Sequence, residues 1–141
     1  MKDNKTSFVC VGAVHTDYIL QLQKNYFKKR TNPINQKEFL GGVAYNIASK
    51  LSFLGENTEL LSLNCKDEIK KKILNNNIKF IPITKFFYNR SYLSILSKKG
   101  EMILGLANMD NYEKTNISKK IKIFKNQHII FDLNLSSNII N

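Results

Sequence analysis

Tryptophan is absent from this 141-residue chain, and arginine, proline and cysteine occur twice each. Each shortage excludes something. With only Arg30 and Arg90, the chain lacks the planar, bidentate donors expected for base readout and phosphate clamping. The formal net charge of +11 comes almost wholly from lysines, which are scattered among Asn and Ile. The denser runs Lys70-Lys71-Lys72 and Lys119-Lys120 fall on expected helices, where solvated faces account for them. A basic nucleic-acid-binding module is therefore a discounted reading. Cys10 and Cys65 lie in apolar runs with no Cys-x-x-Cys spacing, and His15 and His128 are far apart in sequence. Buried, reduced thiols are expected, and a metal site is not. No apolar run approaches the ~20 residues that span a bilayer. The first seven residues lack the apolar core of a signal peptide. A cytoplasmic protein is the expectation. No Gly-x-x-x-x-Gly-Lys loop is present to cradle a nucleotide.

What is present is an alternation of buried runs and helices. The hydrophobic fraction of 43% suits one domain with a real core. Residues 7–13 form a continuous apolar run, the pattern of a buried parallel strand. Residues 17–22 alternate in part and read as a half-exposed strand. Residues 24–36 read as a loop and 37–40 as a short returning strand. Apolar spacing predicts a helix over 43–54, with Val43, Ala44, Ile47, Ala48, Leu51 and Leu54 on its buried face and Gly55 as its cap. Strands follow at 58–63 and 80–83, flanking a helix over 67–75 that opens on Asp67. Residues 91–97 and 101–107 make a hairpin across Lys98-Lys99-Gly100. A helix near 118–126 and a strand at 128–133 complete the order. The class is α/β: a parallel sheet with flanking helices, plus an outlying antiparallel flap built from the amphipathic strand pairs. Ser136 or Ser137 would cap a further helix that has no room before Asn141, so the chain reads as truncated.

The stretch richest in chemistry is Phe39-Leu40-Gly41-Gly42-Val43-Ala44-Tyr45-Asn46. Two adjacent glycines turn the backbone sharply and let a ligand approach it. They deliver the chain to a helix N-terminus with outward N–H groups, and Asn46 follows one turn in. The plainer alternatives stay open here: Asp17 as a turn residue, the glycines as a tight turn only, Asn46 as a surface helix residue. Neither histidine has a carboxylate partner visible in the sequence, so neither is read as a general base.

Four patches in order resemble the ribokinase-like (PfkB) carbohydrate kinases, in the form of the pseudouridine kinases. They are Val11-Gly12-Ala13-Val14-His15-Thr16-Asp17, Gly41-Gly42 with Asn46, the hairpin from Ser91 through Gly100-Glu101-Met102 to Asn108-Met109-Asp110, and Asp132-Leu133-Asn134. The resemblance covers the family's N-terminal half. It implies a substrate-binding portion spanning residues 1–141, with lid segments about 15–40 and 88–110. It implies ligand contacts at Asp17, Gly41, Gly42, Asn46, His15, Asn108 and Asn134, with Tyr92 in lid packing. His15 departs from the family's frequent Asn at that position. For the complete enzyme the resemblance implies ATP-dependent phosphorylation of a ribosyl 5′-hydroxyl, with ATP and Mg as cofactors and a ribosyl or nucleoside substrate such as pseudouridine. The family's Gly-Ala-Gly-Asp-type motif, which carries the catalytic Asp, is not found in these residues. The chain by itself is expected not to phosphorylate efficiently. The other reading is an inactive remnant that binds a nucleoside or forms a homodimer through the lid.

Overall fold

The computed structural model describes residues 7–109 and 127–132. The elements in chain order are β1 (Ser7–Val11), β2 (His15–Leu22), β3 (Ile34–Gly41), α1 (Val43–Phe53), β4 (Asn57–Ser62), α2 (Asp67–Asn75), β5 (Ile78–Pro82), β6 (Ser91–Leu96), β7 (Met102–Asn108) and β8 (Gln127–Phe131). The helix expected near 118–126, together with Asp110, Leu133 and Asn134, lies outside the described residues. The chain divides into two compact units, with crossings at 14/15, 40/41, 89/90 and 109/110.

The first unit is built on the sheet β5-β4-β1-β8. All three pairings are parallel. The apolar runs explain this: a strand buried on both faces has no polar side to show to solvent. Val9 and Val11 point to one face, where they join Ala13, Leu61, Leu63 and Ile83 in the core. Cys10 and Leu60, paired in register, alternate to the other and are fully buried. Both cysteines are free and buried, and burial pushes each thiol up to about 11.

α1 packs against β1 and β4, and α2 against β5. The buried residues of α1 are Ala44, Tyr45 and Ala48. The expected stripe is therefore displaced: Val43 and Leu54 are 48% and 72% exposed, while Tyr45 is buried. Two alanines let the helix approach the sheet closely, and Tyr45 turns toward the end of α2, where its hydroxyl accepts the Asn76 Nδ2–H at 2.8 Å. The helix ends as expected around Gly55. The Gly55 N–H donates to Ser52 O and the Glu56 N–H to Leu51 O, which satisfies two end carbonyls. α2 buries Ile69 and Ile73 and opens on Asp67, whose carboxylate accepts from Lys70 Nζ at 2.9 Å. That hydrogen bond holds the Asp67 carboxyl below the usual carboxylate range.

The second unit holds the sheet β3-β2-β6-β7. It is mixed, not the antiparallel flap expected: β6 and β7 are antiparallel, but β2 and β6 run parallel. Both of those strands begin where the chain enters this unit, so they run the same way. β3 is also longer than the four residues expected. Its polar first half pairs beside β2 and needs no buried face, and the strand pattern was legible only where Phe39 and Leu40 sit.

Candidate functional site

The end of β1 is shaped by two glycines. Gly12 has φ +152, and a Cβ there would stand 2.3 Å from the Cβ of Asp132 and 3.0 Å from that of Ala44. The missing side chain thus lets the end of β8 and the start of α1 close over β1. The backbone seals the arrangement: Gly12 N–H donates to Leu61 O, and Asp132 N–H to Val11 O at 2.9 Å. Gly42 has φ +105, and a Cβ there would stand 2.3 Å from the carbonyl oxygen of Ala13. Only glycine fits that approach without strain. The Tyr45 N–H then donates to Ala13 O at 3.2 Å, fastening the first turn of α1 to the loop after β1.

The result is a compact set of polar groups at the C-terminal ends of parallel strands, the edge where open α/β sheets take ligands. Gly42 caps α1 without a side-chain hydrogen bond, and the first turn holds no acidic residue. Its N-terminus therefore keeps its positive character for a hydroxyl or anion. Asn46 is exposed one turn in, with its backbone N–H given to Gly42 O. Asp132 is 3% exposed, and its Oδ2 accepts the Ala13 N–H over a long 3.4 Å. This carboxylate sits at the site edge although sequence reasoning gave it only as part of a strand-end motif. The available signal was a lone acid closing the apolar run from His128.

The second unit carries the other candidates. His15 and Asp17 stand two apart on β2, so they share a face. His15 Nε2 lies 2.9 Å from Asp17 Oδ1, with the side chains 11% and 34% exposed. This carboxylate partner was not visible in the sequence. Thr16 between them donates its N–H to Arg90 O. Asn108 ends β7 opposite Ser91, which is itself opposite Thr16. Asp17 belongs to the neighbouring row with Tyr92 and Ala107. Strand alternation therefore turns Asn108 and Asp17 to opposite faces of this sheet. Tyr92 packs within its hairpin, its hydroxyl 3.9 Å from Met102 Sδ. So the structure joins His15 with Asp17 in the second unit and Gly12 and Ala13 with Asp132 in the first, where Gly41, Gly42 and Asn46 lie at the start of α1. Asn134 lies outside the described residues. Among the described residues, no group of three or more His, Cys, Asp or Glu is placed to hold a metal ion. No described helix is long and apolar enough to cross a membrane.

No protein-family model matches the chain. The chain is 29% identical to a pseudouridine-metabolizing bifunctional protein of Schizosaccharomyces pombe, over 93% of its own length and 19% of that protein's. Its fold matches a carbohydrate kinase from Agrobacterium tumefaciens with TM-score 0.69 and 24% identity, covering 77% of this chain and 37% of the other. It also matches a ribokinase from Cryptococcus neoformans var. grubii serotype A, solved in complex with ADP, with TM-score 0.72 and 16% identity over 93% of this chain and 42% of that one. These likenesses support a ribokinase-like family, and the chain spans well under half the length of each relative.

Proposed function

We propose that this ribokinase-like chain is the substrate-binding portion of a sugar or nucleoside kinase, and that its ligand is a ribosyl compound such as pseudouridine. The observation that carries the reading is the glycine-built edge of the first unit. Gly42 clamps the start of α1 onto Ala13 and leaves an uncapped helix N-terminus beside Asn46 and the Asp132 carboxylate. Backbone N–H groups, an amide and carboxylates together match a ligand whose hydroxyls each donate and accept. Asp17 and Asn134 are further proposed contacts on the resemblance. The fungal relative's pseudouridine chemistry supports the nucleoside, and the carbohydrate kinase and ribokinase folds support the sugar.

The complete enzyme would transfer a phosphoryl group from ATP, with Mg, to the ribosyl 5′-hydroxyl. No step of that transfer is assigned to the described residues. Their part is to bind and orient the acceptor, which is the entropic share of catalysis. Isothermal titration calorimetry of the chain with pseudouridine, ribose and 2′-deoxyuridine tests the reading. Saturable binding of the first two, with the deoxy compound at least about tenfold weaker, is expected for a site that reads vicinal hydroxyls. No binding of any ribosyl compound at millimolar concentration would contradict it.

A further inference from the structure

We infer that His15 is a positioning residue for Asp17: the imidazole engages one carboxylate oxygen and leaves the other presented to a ligand hydroxyl. The inference rests on the functional reading above, in which Asp17 receives sugar hydroxyls. Its own support is geometric. The two residues are two apart on β2 and share a face. His15 Nε2 is 2.9 Å from Asp17 Oδ1. Oδ1 is buried and takes no aligned hydrogen bond, and the His15 imidazole stands beside it. Yet the Asp17 side chain as a whole is 34% exposed, so its exposure lies on the part turned away from His15. One oxygen is thus turned inward beside a nearly buried ring, and the rest of the group faces out.

The consequence is preorganisation. An exposed aspartate rotates freely, and a ligand that needs one orientation must immobilise it at an entropic cost. A ring that is 11% exposed is already fixed by its packing, and its contact fixes the carboxylate before a ligand arrives. The surrounding charges leave this pair distinct. Across β6, Asp17 faces Tyr92 in register, and the buried Arg90 precedes that strand. β3, on the other side of β2, carries Lys37 and Glu38.

Two measurements on the whole chain test this. The first needs no ligand: NMR titration of the histidine rings in the native chain and in Asp17→Asn. An adjacent carboxylate favours the imidazolium, so its neutralisation is expected to lower the His15 midpoint. An unmoved His15 midpoint overturns the contact. The second is a double-mutant cycle on pseudouridine affinity. His15→Leu is expected to weaken binding about tenfold, and His15→Gln, whose Nε2 reaches a similar place, to restore most of it. In the Asp17→Asn background, His15→Leu is expected to have no further effect. Additive losses would mean that His15 touches the ligand itself and would overturn the positioning role. If His15→Leu fails to fold, the Gln variant and its cycle carry the test. A chain that binds no ribosyl ligand would refute the functional reading, and the positioning role with it, while the ring titration still judges the contact.

Discussion

A methyl group on Gly42 would meet the Ala13 carbonyl at 2.3 Å, and φ +105 is itself strained for any L side chain. Gly42→Ala is therefore expected to cost about 2 kcal/mol and lower the thermal midpoint by several degrees, as followed by circular dichroism. Asn46→Ala is the contrast. The side chain is exposed on α1, so stability should hold within about 0.5 kcal/mol while affinity for a ribosyl ligand falls. The thiols give a separate check. With both pushed up to about 11 by burial, Cys10 and Cys65 are expected to resist iodoacetamide at pH 8 in the folded chain and to react on unfolding. Fast labelling of the native chain would contradict the buried placement. At this scale the Gly41-Gly42 turn was legible because it is local. The meeting of Gly12 with Asp132 was not, since 119 residues separate Asp132 from Ala13, the residue to which it bonds. The His15–Asp17 contact was missed for a different reason. It follows from strand alternation once β2 starts at His15, two residues earlier than expected.

Apolar periodicity found most elements, because buried strands and helix faces must repeat at their own periods. It bounded α2 at 67–75, as observed, and found both arms of the β6–β7 hairpin. It misjudged the buried face of α1 because small alanines, not the larger Val43 and Leu54, decide how a helix meets a sheet at close range. The link from Tyr45 to Asn76 is a testable product of that packing. Tyr45→Phe removes the acceptor, and a loss of about 1 kcal/mol is expected in denaturant unfolding. β7 raises another expectation. Met102, Ile103, Leu104 and Leu106 are 61%, 47%, 47% and 46% exposed on an edge strand of the second sheet. Exposed apolar side chains on a strand edge favour self-association. Sedimentation velocity should show concentration-dependent association that Leu104→Lys reduces; equal behaviour of the two proteins would contradict it.

For the molecule as a whole, the parallel sheet was legible from Val9-Cys10-Val11 and Leu60-Leu61, runs too apolar for a strand with one wet face. The order β5-β4-β1-β8 was not, because no local signal says which strand lies beside which. The parallel pairing of β2 with β6 was hidden for the same reason, and the amphipathic pattern read as an antiparallel flap. The glycine-built edge of the first unit is proposed to receive a ribosyl ligand. Amide NMR spectra of the chain titrated with pseudouridine test it most directly. Saturable shifts at Gly12, Gly41, Gly42 and Asn46 are expected, with Lys70 to Lys72 unmoved. Shifts at the lysine run alone, or none at all, would contradict it.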